Sequence, residues 1–203
     1  MIRTIRTLAA VACAFALTMC GGTRTDKDAP ATAPTEAADS TAHSHHGATM
    51  TAEDSASYIS KRITVSGDVE HELTLTVDSL KAMNVATIED FAVVCQSGDS
   101  TKKDLTCKGV LLKDILDKAA IAQRNHKDRN FYIVARASDG YMATFSWAEL
   151  YNNPTGAGVY VIFEENGQPI EAQGDMVLIS RTDTKTGPRH VYWLKGIEVR
   201  RVG

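Results

Sequence analysis

The chain has 203 residues, room for one domain of ordinary size or two very small ones. Hydrophobic residues make up 43% and charged residues 23%, which excludes wholesale disorder and a polytopic membrane protein. A formal net charge of −3 leaves no basic footprint for a phosphate backbone, so nucleic acid is not an expected partner.

Residues 1–6 carry two arginines and no acid, and residues 7–19 (TLAAVACAFALTM) form an apolar run too short to cross a bilayer as a helix. A basic start followed by a short apolar stretch and small residues is the pattern of a secretory signal peptide. The run closes on Leu17-Thr18-Met19-Cys20-Gly21-Gly22, which resembles a bacterial lipobox, although Met19 stands where that pattern places a small residue. The resemblance implies removal of residues 1–19 and lipidation of Cys20; an ordinary secreted protein cut nearby is the alternative. Loss of Arg3 and Arg6 leaves 20 basic against 25 acidic residues, a charge of −5. Attachment to a membrane would then rest on acyl chains rather than on a basic patch. The expected location is the cell envelope, with the domain outside the cytoplasm. The outer membrane is preferred, since Gly21 replaces the Asp that holds many lipoproteins on an inner membrane.

Residues 20–57 read as the lipidated cysteine and a tether, rich in Ala, Thr, Ser, Asp and Pro and without aliphatic periodicity. Such a stretch cannot bury enough apolar surface to offset its ordering entropy. Its typical reach is about 35 Å. His43, His45 and His46 fall inside it and read as part of a soluble spacer.

From Tyr58 onward short alternating runs are split by turn signals, and residues 58–203 read as one domain. Residues 62–65 and 72–77 read as strands, the second with one face buried and one wet. Asp78 reads as the N-cap of a helical turn through Leu80 and Met83. Phe91-Ala92-Val93-Val94-Cys95 is a continuous apolar run, suiting a strand buried on both faces. After the polar loop and Leu105-Thr106-Cys107, the spacing of Val110, Leu111, Ile115 and Leu116 predicts the longest helix. Strands follow at 131–135 and 141–145, joined by Asp139-Gly140, and Ser146-Trp147-Ala148-Glu149 fits a capping box. Residues 159–163, 176–180, 190–193 and 197–202 complete the strands, with a tight turn at Asn166-Gly167. The expected fold class is α+β, a strand-rich single domain with two or three short helices.

The domain carries no phosphate-cradling glycine loop, paired-histidine zinc helix, nucleophile elbow or CxxC pair. Two cysteines remain in it, Cys95 and Cys107, with 11 residues between them. In an exported protein such a pair suggests a disulfide, which would constrain the unfolded chain by about 3 kcal/mol. The opposing possibility keeps Cys95 as a free thiolate available to a soft or high-valent metal. One sulfur cannot do both.

Seven landmarks occur in order: Val65-Ser66-Gly67, Asp78-Ser79-Leu80, Val93-Val94-Cys95, the helix from Gly109 to Leu116, Ser138-Asp139-Gly140-Tyr141, Asn166-Gly167-Gln168-Pro169-Ile170, and Trp193-Leu194-Lys195-Gly196-Ile197. With them, residues 63–202 resemble the molybdopterin-binding oxidoreductase domain of the sulfite oxidase and bacterial sulfoxide reductase type. The resemblance implies a sulfite-oxidase-like fold, a molybdopterin cofactor with Cys95 as metal ligand, and Tyr141 near the substrate. Arg189 and His190 would stand on the cofactor face, and the activity would be oxygen-atom transfer on a sulfur-containing substrate. The chain also departs from that pattern. Gln96-Ser97-Gly98-Asp99 follows the cysteine, Met176-Val177-Leu178 follows Gly174, and Tyr192 replaces a pterin-facing lysine. The Ala/Thr tether stands where the enzymes carry a pterin-wrapping segment. A phosphorylated pterin needs cationic partners. The first expectation is therefore a lipid-anchored binding or accessory module that keeps the fold without its cofactor, docking an envelope protein or a small ligand, with Cys95 bridged to Cys107. The alternative is the molybdopterin oxidoreductase.

Overall fold

The alternating runs resolve into two sheets in a computed structural model that describes residues 56–203. The expected signal segment, Cys20 and His43, His45 and His46 lie outside the described residues. The first sheet has the order β2 (Leu73–Leu75), β1 (Ile63–Gly67), β10 (Leu194–Arg201), β5 (Phe131–Ala137), β6 (Met142–Ser146). Within it β1 and β10 run parallel and the other neighbours antiparallel. The second sheet is antiparallel, with the order β3 (Val85–Val94), β4 (Ser100–Leu111), β7 (Val159–Glu165), β8 (Gln168–Pro169); β9 (Val177–Ser180) also pairs with β7. Besides a helical stretch at residues 56–58, three short helices, α1 (Val77–Lys81), α2 (Leu112–Ala119) and α3 (Trp147–Tyr151), lie among the described residues.

Strand β7 shows why two cores form. Val159, Val161 and Phe163 enter the main core with Ile63, Ile133, Phe145, Ile197 and the α2 residues Leu112, Ile115 and Leu116. Tyr160 and Ile162, on the opposite face, join a second cluster with Ile88, Phe91, Leu105, Cys107, Val177 and Ile179. Because side chains alternate along a strand, a wholly apolar run is the pattern of a strand covered on both sides.

Four local expectations are corrected. Phe91 and Val93 are buried, but Ala92 and Val94 are only half-buried, because β3 is the edge of its sheet and has one packed face. The cap of α1 is Thr76, whose hydroxyl accepts from the Ser79 N–H at 3.2 Å; Asp78 sits in the first turn, where its charge suits the helix dipole. Val110 and Leu111 finish β4 instead of opening α2, since their backbones are spent on pairing with Val161 and Tyr160. Residues 190–193 are not a strand; only Val191 makes a bridge, to Leu178. The capping box is present, with the Ser146 hydroxyl accepting from the Glu149 N–H at 3.1 Å and the Glu149 carboxylate from the Ser146 N–H at 2.8 Å. Trp147 behind it is a core residue, stacked on Tyr151 at 4.8 Å.

Candidate functional site

Cys95 is the first residue beyond β3, at the tip of the β3–β4 hairpin. Its N–H donates to the Asp99 carbonyl at 2.8 Å and its own carbonyl accepts from the Gly98 N–H at 2.9 Å. The Ser97 hydroxyl donates to Asp99 at 2.8 Å and tightens the turn. Cys95 is half-buried and its thiol is free.

The expected Cys95–Cys107 disulfide is overturned. Both cysteines are unbridged, and the strand register explains why. Val94 pairs with Ser100, whereas Cys107 pairs with Ile88. Cys107 stands seven positions beyond Ser100 along β4, about 20 Å of strand, while a bridge needs Cα atoms within about 7 Å. The same separation removes thiol–disulfide exchange between the two sulfurs. Cys107 is fully buried, and burial, reinforced by the negative charge of Glu165, pushes its thiol up to about 11. It is therefore a protonated core residue.

The strap of residues 181–193, which joins β9 to β10, collects the predicted site residues. At Gly187 it abuts the hairpin tip: a Cβ there would stand 3.0 Å from the Val94 carbonyl oxygen and 3.4 Å from the Cys95 Cα, so only glycine fits without displacement. The next residue, Pro188, offers its carbonyl to the Tyr141 hydroxyl at 2.5 Å. His190 is 3% exposed, its ring centroid 5.9 Å from Phe91 and 4.5 Å from Tyr192. Tyr192 lies within electrostatic reach of Cys95; burial first, then the charges of Glu165 and Cys95, push its hydroxyl up to about 12. Cys95, Tyr141, Arg189 and His190 thus all belong to the strap or touch residues near it.

Arg189 does not stand free. Its Nε donates to Asp183 Oδ2 at 2.7 Å, its Nη2 to Asp183 Oδ1 at 2.5 Å, and its Nη1 to Glu149 Oε1 at 2.9 Å. The guanidinium also covers the Phe145 ring at 4.4 Å. Asp183 chiefly, with Glu149, raises its pKa further, so the cation is permanent and already neutralised by two carboxylates. Lys185, beside Gly98, is another cation at the hairpin tip. No group of three or more His, Cys, Asp or Glu side chains that could hold a metal occurs among the described residues. The described site offers one sulfur donor for a metal, and the charge of a phosphorylated pterin would have to compete with Asp183 and Glu149 for Arg189. A cleft of about 290 Å³ lies elsewhere, lined by Lys61, Lys81, Phe163, Ile170 and Asp175 among others, and includes neither Cys95 nor the strap.

Sequence reasoning missed Thr186, Asp183 and Glu149 as parts of this site. The Gly187-Pro188 pair was the available signal, since it marks a turn that must be held by its neighbours. Trp193, at the end of the strap, has a left-handed backbone with φ 47° and is 7% exposed.

The family model described as the oxidoreductase molybdopterin binding domain matches residues 46–202. No curated protein matches the chain. Among solved structures, the sulfane dehydrogenase SoxCD from Paracoccus pantotrophus is similar in fold, with a TM-score of 0.53 at 16% sequence identity. The match covers 75% of this chain and 40% of that one, so this chain corresponds to less than half of the larger protein. The ordered landmarks, the strand-rich two-sheet architecture and the match over residues 46–202 agree, and the chain belongs to the oxidoreductase molybdopterin binding domain family.

Proposed function

We propose that the domain works as a binding or accessory module that keeps the molybdopterin-domain fold without molybdenum chemistry. The observation that carries this reading is the engagement of Arg189 by Asp183 and Glu149, which removes the cation that the resemblance assigns to the pterin. The strap and hairpin tip then form a structured face whose ligand is an envelope protein or a small molecule. Molybdenum analysis tests the reading on full-length protein from a host that makes the cofactor. The expected content is a small fraction of an equivalent; a content near one equivalent overturns it.

One observation favours the second reading, a molybdopterin-dependent oxidoreductase transferring oxygen to or from a sulfur-containing substrate. Cys95 is unbridged at a strand end, so its sulfur is available as a metal ligand. A bound molybdopterin would supply the redox-active metal. For this chain's own residues the reading assigns Cys95 as the donor, and Tyr141, held at Pro188, at the substrate side. Loss of metal from a Cys95→Ser variant that still folds would support it.

We also propose attachment to the envelope through a lipid on Cys20, with the outer membrane preferred. The lipobox-like run supports this, and the absence of a basic patch leaves acyl chains as the means of attachment. The native protein should partition into the detergent phase, and Cys20→Ala into the aqueous phase. Equal partitioning of the two would sink the proposal.

A further inference from the structure

Strand β3 is an edge strand whose outward backbone groups have no neighbouring strand at the Cys95 end. Thr186 takes that place. Its hydroxyl accepts from the Val94 N–H at 2.8 Å and donates to the Ala92 carbonyl at 2.7 Å. The N–H of residue 94 and the C=O of residue 92 point the same way, and a residue of a parallel neighbouring strand would satisfy both. A single hydroxyl does the work of that residue's N–H and C=O. Thr186 is 5% exposed, so these bonds are shielded from water, and leaving both backbone groups unpaired there is costly.

We propose that Thr186 is the positioning residue of the Cys95 thiol: a strand surrogate that clamps the last residues of β3 and thereby governs how readily the hairpin tip opens. Val94, one of the two bonded residues, immediately precedes Cys95, so the clamp acts one peptide unit from the thiol-bearing residue. Gly187 completes it by bringing the strap against Val94 and the Cys95 Cα, a distance that any side chain would widen. The residues that follow hold the strap in place as well, Pro188 through the Tyr141 hydroxyl and Arg189 through Glu149, with Asp183 bracing the guanidinium from within the strap. The hairpin tip is therefore docked on an anchored segment, and Thr186 is its polar link to that segment. Edge strands are commonly protected by charge, proline or a covering loop; here a loop threonine caps the edge and fixes a thiol together. This role does not depend on whether molybdenum binds.

The test is the rate of Cys95 alkylation by iodoacetamide in the full chain, followed by peptide mass spectrometry alongside the unfolding midpoint. Thr186→Val keeps the shape and removes both bonds; Cys95 should then react about tenfold faster, as local opening at the tip becomes easier. Thr186→Ser keeps the hydroxyl and should stay within about twofold of the native rate. Gly187→Ala keeps the hydroxyl but crowds the Val94 carbonyl, so strap and tip must part by a few tenths of an ångström, and it should also accelerate labelling. It serves as the second arm if Thr186→Val does not fold. The proposal is overturned if a folded Thr186→Val or Gly187→Ala protein labels at the native rate, or if Thr186→Ser accelerates as much as Thr186→Val.

Discussion

Arg189 and Asp183 form a two-pronged ion pair within one strap, with Nε and Nη2 of the guanidinium donating to the two carboxylate oxygens at 2.7 and 2.5 Å. The side chains are only 21% and 14% exposed, so water screens the pair less than an ordinary surface contact. The third arm reaches Glu149 and joins the strap to α3. Paired this way, the cation serves the fold.

Removing the cation should show this. Arg189→Met is expected to lower stability by about 2 kcal/mol, between the values for exposed pairs and for broken buried ones. Urea denaturation of Arg189→Met, Asp183→Asn and the double variant measures it. A double variant that loses the simple sum of the two single losses would mean the pair carries no coupling.

Glu149 makes stability depend on pH. Burial pushes its carboxyl up, but the Ser146 backbone N–H and the Arg189 guanidinium together outweigh burial and hold it below its ordinary value of 4.5. A depressed folded pKa gives stability that is complete above the unfolded value and lost as pH falls through the folded one. The carboxylate is 38% exposed, so solvent screening keeps the contribution below about 1 kcal/mol. Native protein should exceed Glu149→Gln in stability at pH 7 and lose that advantage below pH 4.5. A difference that persists unchanged at pH 3 would exclude the ionised carboxylate as its source.

The two domain thiols should behave oppositely. Alkylation of the folded, non-reduced protein should label Cys95, which is half-buried, and spare Cys107, which is 0% exposed and whose thiol burial holds at about 11. Denaturant should expose both without added reductant. A pair that stays unlabelled in denaturant until reduced would restore the disulfide.

Tyr141→Phe removes the hydroxyl that donates to the Pro188 carbonyl and keeps the ring. The expected cost is about 1 kcal/mol, the net value of one such bond. Thermal unfolding measures it, and a variant as stable as the native protein would show that Tyr141 does not hold the strap.

Much of the architecture was legible because the signals are local. The capping box at Ser146 and Glu149 and the Asn166-Gly167 turn each depend on neighbours a few residues away, whereas of the alternating run 72–77 only Leu73–Leu75 is strand, because Thr76 caps the helix that Val77 opens. The helix after Gly109 was placed correctly as an element but opened two residues late, at Leu112, because pairing with β7 claims Val110 and Leu111 first. The run ending at Cys95 was read as doubly buried since apolar residues alone cannot tell an edge strand from a central one. That distinction lies in which strands pair.

The candidate site was legible as a list of residue types and not as a set of partners. Cys95, Tyr141, Arg189 and His190 were identified from the order of landmarks. That Asp183 and Glu149 would occupy the guanidinium had no local signature, because Glu149 comes from 40 residues away in the chain.

By itself the sequence determined the α+β class, the tight turns and the positions of strands such as β1, β5, β6, β7 and β9, which follow from hydrophobic periodicity and turn chemistry, while the family resemblance rests on the order of motifs. Only the tertiary structure decided that Cys107 faces Ile88, that Thr186 caps an edge 92 residues away, and that Arg189 is already paired. The reason is physical: strand register and long-range hydrogen bonds are fixed by the packing of the whole domain, and a shift of a few residues in register moves a sulfur by many ångströms without altering the local pattern that specifies the strand.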